Sequence, residues 1–137
     1  MLQQIDHIGI LVRNLDQSLE KYERLFRVRA THIEVMEELL LRIAFIPVGE
    51  VMIELLQPLA PGKGRLGELL EKRGEGVDHI AYRVDDLDQV LAEMKRSGVR
   101  LKDEKPRAGA EGSRIAFISA DETNNVLVEL VQRDDRQ

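Results

Sequence analysis

The sequence predicts an α+β fold of two tandem βαβββ modules related by a pseudo-twofold. Three observations predict it: an internal repeat, the same order of elements in each copy, and a His and a Glu that recur at matching places. Ile5-Asp-His-Ile-Gly-Ile-Leu-Val-Arg-Asn-Leu-Asp-Gln-Ser-Leu19 lies over Val77-Asp-His-Ile-Ala-Tyr-Arg-Val-Asp-Asp-Leu-Asp-Gln-Val-Leu91 at an offset of 72. At that offset Arg42-Ile-Ala-Phe-Ile46 is identical to Arg114-Ile-Ala-Phe-Ile118. The second copy then carries three extra residues within Ser119 to Asn125, after which Val51-Met-Ile-Glu-Leu-Leu-Gln57 matches Val126-Leu-Val-Glu-Leu-Val-Gln132. A repeat of this kind is read before any local pattern, because it fixes the plan of the chain.

Each element has its own signal. Ile5 to Val12 is short, apolar and β-rich, as a first strand. Leu15, Leu19, Tyr22 and Leu25/Phe26 follow at helical spacing, with Asn14 as N-cap and Gln17 three residues on. Asp86 and Gln89 repeat that cap, Leu87, Leu91 and Met94 form the second apolar stripe, and Gly98 stands where a glycine ends a helix. Strands are expected over about 28–34, 39–47 and 50–57, echoed by 99–103, 113–119 and 125–132. Pro58 to Gly64 reads as a loop, and Leu66, Leu69 and Leu70 as a short linking helix ending at Gly74. The expectation is one domain over 1–137, with module one at about 1–58, a linker at about 59–74 and module two at about 75–133.

Composition narrows the function. At 137 residues and 43% hydrophobic, the chain can bury a real core. A formal net charge of −5 argues against a nucleic-acid partner, which wants a basic face. With no Cys, thiolate metal sites and cysteine nucleophiles are excluded. The N-terminal residues do not read as a signal sequence and no apolar run approaches a membrane span, so a cytoplasmic protein with no membrane partner is expected.

His7 and His79 each sit in Asp-His-Ile, and Glu54 and Glu129 each interrupt an apolar last strand. A carboxylate carried into such a strand needs a cation or a strong donor, since leaving it unpaired costs several kcal/mol (about 2–7 for a neutral polar group, more for a charge). One answer is structural: a hydrogen-bonded His, and a Glu paired with Arg42 or Arg114. The other is a metal. His followed by Glu about 50 residues later, twice, favours the metal. Two modules would then bring His7, Glu54, His79 and Glu129 to one divalent cation, their sheets facing one another around it. Imidazole with carboxylate suits Co, Mn, Ni, Zn or Fe better than Ca, and leaves two octahedral positions open. His32 has no counterpart in the second copy and reads as a surface residue. Glu34, Glu37 and Glu38 form either a solvated turn or a supply of base. The Gly-rich stretch Lys102 to Gly112 is either a plain loop or an anion cradle built from backbone N–H groups and Arg107.

These residues resemble the vicinal oxygen chelate superfamily (glyoxalase, bleomycin resistance and dioxygenase proteins). Within it the resemblance is to the methylmalonyl-CoA epimerases, through Gly49–Pro58, Arg73–Ala81, Asp103–Gly112 and Val126–Leu130. It departs at Ser119–Asn125, where this chain has Asp121 and Glu122 in place of a cationic turn, and at Arg42, where some members carry an acid. The resemblance implies His7, Glu54, His79 and Glu129 as ligands and a substrate loop that includes Arg107, Gly109, Ala110 and Gly112. It implies an acyl-CoA substrate with a β-carboxylate, inverted at its α-carbon through a metal-stabilised enediolate, with Glu129 as one base. The rival readings are glyoxalase I and a non-catalytic small-molecule-binding module of the same superfamily. A homodimer is expected, because paired sheets leave apolar edges.

Overall fold

The computed structural model describes residues 1–134. The architecture is mixed α+β, and the chain divides into two compact units, one spanning His7–Asp78 and the other made of Met1–Asp6 with the chain from His79 on. The first unit holds the second half of β1 (Leu2–Leu11), then α1 (Leu15–Phe26), β2 (His32–Met36), β3 (Leu41–Val48), β4 (Val51–Pro58) and α2 (Gly64–Arg73). Its strands run in the order β2-β3-β4-β1, with β4 parallel to β1 and the other neighbours antiparallel. The second unit repeats the plan with β5 (Gly76–Val84) from His79 on, α3 (Leu87–Arg96), β6 (Arg107–Ala108), β7 (Arg114–Ile118) and β8 (Val128–Gln132). Here the order is β5-β8-β7-β6, and β8 is parallel to β5. Both copies are therefore βαβββ units. Among the described residues no helix is long and apolar enough to cross a membrane.

The repeat in sequence is a repeat in packing. Val12, Leu15, Ala44, Ile46 and Leu55 form the core beneath α1. Their counterparts Val84, Leu87, Ala116, Ile118 and Leu130 form the core beneath α3, joined by Val90, Leu91 and Val128. Leu15 and Leu87 are fully buried, each contributing roughly 1.5–3 kcal/mol. Asn14 accepts the Gln17 N–H at 3.0 Å and Asp86 accepts that of Gln89 at 3.2 Å, as the caps predict. The matched glutamines at the strand ends complete the same helix starts. Gln57 accepts the Leu15 N–H at 2.7 Å, and Gln132 that of Leu87 at 2.8 Å. Two of the donors that every helix start leaves over are thus satisfied in each copy.

Three strand boundaries differ from expectation. Arg27 closes α1 in the left-handed region at φ 58, and the chain joins the sheet only at His32, with β2 running on to Met36. Residues 99–103 do not form a strand. Leu101 makes one bridge to Ile118, after which the N–H groups of Lys102 and Asp103 both donate to the Phe117 carbonyl and the ladder ends. β8 starts at Val128 rather than near 125, because Asn124 and Asn125 are both left-handed, at φ 60 and 64. Asparagine tolerates that conformation better than most residues, and two in succession cannot continue a strand.

Candidate active site

His7 with Glu54 and His79 with Glu129 form two buried pairs at matched positions, one in each unit, although the ring nitrogen that faces the carboxylate differs. In the first, His7 Nδ1 lies 3.3 Å from Glu54 Oε2, and in the second His79 Nε2 lies 3.4 Å from Glu129 Oε1. All four side chains are about 95% buried, being 5% or 6% exposed. The strand register explains why each pair meets. Glu54 stands opposite Gly9 and Glu129 opposite Ala81, each two residues after the histidine. Residues two apart share a face of a strand, so His and Glu emerge on the same side. The residue between them is small, which leaves room for the imidazole to reach the carboxylate.

On its other flank each glutamate has a phenylalanine as register partner, Phe45 for Glu54 and Phe117 for Glu129. Both rings are buried, Phe45 fully and Phe117 at 5% exposed. The His79 ring meets Phe117 edge-on at 5.6 Å. This is the role of the identical Arg-Ile-Ala-Phe-Ile segments: they give each carboxylate an apolar wall. Sequence reasoning did not assign the phenylalanines to the site, although their exact repetition was a usable signal.

The donor set fits a divalent cation. Neighbouring ligand atoms on one ion, with bonds of about 2.0–2.2 Å, lie about 3.0–3.4 Å apart for right-angle to tetrahedral geometry. The observed separations of 3.3 and 3.4 Å match that spacing. The alternative pairing of the glutamates with Arg42 and Arg114 is not what the structure uses those arginines for. Arg42 reaches Asp16 at 3.2 Å and Arg114 reaches Asp88 at 3.0 and 3.3 Å, the same strand-to-helix tie in both copies. The hydrogen bonds that Arg114 donates to the Asp88 carboxylate raise its pKa above the ordinary value.

The remaining predicted residues separate. Arg107 donates to Asp103 at 3.3 Å and sets its guanidinium 5.4 Å from the Phe117 ring centre, with the Lys102 ammonium at 5.8 Å. Two cations therefore cover the phenylalanine that walls Glu129. Gly109 has no room for a side chain: a Cβ there would meet Ile115 Cγ2 and Ser113 Oγ at 2.6 Å. Ala110 begins a 3₁₀ turn over Ala110–Gly112, in which Glu111 and Gly112 are left-handed at φ 57 and 70. Glu37 and Glu38 are exposed on a 3₁₀ turn, while Glu34 is half-buried. His32 is exposed as expected, yet it stacks on Phe45 at 4.4 Å. Asp121 and Glu122 both turn to Arg100, Asp121 to its guanidinium and Glu122 to its backbone N–H at 2.6 Å. A hydrogen bond from Ser119, together with Arg100, holds the Asp121 carboxyl below its ordinary pKa.

A βαβββ unit built twice, with a buried His/Glu pair in each copy, defines the class. The family model for the Glyoxalase/Bleomycin resistance protein/Dioxygenase superfamily matches residues 6–117, and the chain belongs to that superfamily. Its relatives narrow the field. It is 39% identical over 96% of its length to 93% of YqjC, an uncharacterized protein of Bacillus subtilis. It is 29% identical to the ethylmalonyl-CoA/methylmalonyl-CoA epimerase of Cereibacter sphaeroides, covering 96% of this chain and 99% of that one. A solved structure of Streptomyces coelicolor methylmalonyl-CoA epimerase, in complex with 2-nitronate-propionyl-CoA, superposes with a TM-score of 0.92 at 36% identity, covering 98% of this chain and 97% of that chain.

Proposed function

We propose that the chain is a metal-dependent epimerase that inverts the α-carbon of methylmalonyl-CoA. His7, Glu54, His79 and Glu129 would hold one divalent ion of Co, Mn, Ni, Zn or Fe. The observation that carries the reading is the twice-built, buried His/Glu pair with ligand spacing. The epimerases among the relatives supply the substrate class. When bound, the cation acts as a Lewis acid that eases the charge developing on the substrate oxygens. Glu129 takes the α-proton at a carboxylate oxygen, and a second group returns a proton to the opposite face. Phe117 keeps water from the Glu129 carboxylate. Arg107, with the backbone of Gly109, Ala110 and Gly112, receives the anionic part of the acyl-CoA.

The test is solvent exchange. Metal-loaded protein in deuterated water should place deuterium on the α-carbon of methylmalonyl-CoA, lose that activity on chelation and regain it with Mn or Co. It should do so faster than it turns over methylglyoxal with glutathione. The opposite ranking would assign the chain to glyoxalase I, and exchange that persists in protein free of metal by elemental analysis would end the metal assignment.

We also propose a homodimer in the cytoplasm. The edge strand β2 supports the dimer, since it exposes Ile33 and Val35 at 42% and 53%. Sedimentation is expected to give twice the chain mass, and a species of 15.6 kDa would refute it. Fractionation of cells that express the chain should leave it in the cytosol.

A further inference from the structure

The aspartate before each ligand histidine is buried, and the chemistry above leaves it without a task. Asp6 is 2% exposed and Asp78 is 8% exposed. Each is gripped by guanidinium groups. Arg65 takes Asp78 with two parallel bonds of 3.0 and 2.9 Å. Asp6 accepts four: two from Arg83 at 3.1 and 2.8 Å, and two from Arg133 at 2.8 and 2.7 Å. A carboxylate this deep needs such compensation, and forked pairs give geometry as well as charge. A strand whose side chain is fixed at residue 6 has little freedom left at residue 7.

Arg133 reaches further. With Nε and one terminal nitrogen on Asp6, its other terminal nitrogen lies 3.7 Å from Glu111 Oε1. Glu111 is the non-glycine residue held at φ 57 within the 110–112 turn. A left-handed non-glycine residue is unfavourable by itself and persists where its surroundings hold it. Arg133 also lies four residues after Glu129, just beyond the end of β8. One rigid guanidinium thus touches the Arg107–Gly112 loop and the strand that leads into His7.

We propose that Arg133 is a positioning residue that couples the Arg107–Gly112 loop to β1, so that seating the loop and seating His7 become one event. The part concerning His7 rests on its reading as a metal ligand, whereas the part concerning the loop does not. The planar fork is essential, because a lysine at this position offers charge without the bridge.

The experiment measures amide hydrogen exchange across 107–113, with and without Co²⁺, and Co²⁺ affinity by chelator competition. Without metal, Glu111→Gln and Arg133→Lys should each speed exchange of this segment roughly two- to fivefold, as loss of a partly exposed ion pair implies. Co²⁺ should slow the same amides in the wild-type protein and fail to do so in either variant. Arg133→Lys should weaken Co²⁺ binding about tenfold, as loss of a supporting contact does. Glu111→Gln, at a partly exposed side chain, serves as the variant that leaves the fold intact. Unchanged metal-free exchange in both variants would overturn the Arg133–Glu111 hold on the loop. Co²⁺ slowing the loop equally in wild type and Arg133→Lys would overturn the coupling. If the wild-type protein binds no Co²⁺, the metal assignment fails, and the metal-free exchange still decides whether Arg133 holds the loop.

Discussion

Glu129→Gln is expected to retain its metal and lose on the order of 10²-fold or more in α-deuterium exchange, while Glu54→Gln retains both metal and most activity. An amide oxygen still coordinates a cation, but it has no useful proton affinity near neutral pH. By burial and spacing the two glutamates are nearly equivalent. Their surroundings differ. Phe117, which walls Glu129, lies under the Arg107 and Lys102 cations, whereas Phe45, which walls Glu54, is covered by the exposed His32 ring. On the proposed reading, an anionic substrate would be drawn toward Glu129. Equal losses in the two variants, each with its metal bound, would show that Glu129 has no special role, and the turn at Glu37 and Glu38 would be tested next.

The largest effect on stability is expected from Phe45→Ala. Phe45 is fully buried, stands opposite both Glu54 and His32, and accepts the Thr31 N–H through its carbonyl at 2.8 Å. Removing a buried phenylalanine ring costs about 3–5 kcal/mol in lost burial and residual cavity. A protein of this kind has only about 5–15 kcal/mol in all. Urea unfolding should show a large drop in midpoint at little change in slope, with Phe45→Leu losing less than half as much. A loss below about 1 kcal/mol would mean that the wall collapses around the gap, and that Phe45 is not the rigid flank described here.

Much of this was legible in the chain because a duplication marks what matters twice. The helix caps, the two cores and the His/Glu pairs all occupy matched positions, and the pattern of each copy checks the other. The partners of the two buried aspartates, by contrast, have no counterpart in the repeat. Arg83 stands where the first copy has Leu11, and Arg65 belongs to the linker helix, so neither advertised a buried aspartate as its partner. The repeat predicts a strand at 99–103 as the echo of 28–34, and the structure forms none there. The Val99 and Leu101 side chains pack under α3 as such a strand would, but the backbone leaves the ladder at Lys102. Local hydrophobic pattern reports burial, and it does not report where the neighbouring backbone stops offering partners.

That Met1–Asp6 completes the unit begun at His79 has a consequence for how the gene can change. A break in the linker would give two polypeptides, and the downstream product would carry Arg83 and Arg133 without the carboxylate that both of them grip. Both guanidinium groups would lose the buried carboxylate they share, and Arg133, at 13% exposed, would be the harder of the two to compensate. Neither half can leave by gene fission, or recombine into another protein, without stranding part of the other. The six residues at the start of the chain thus tie the two copies of the repeat into one gene product.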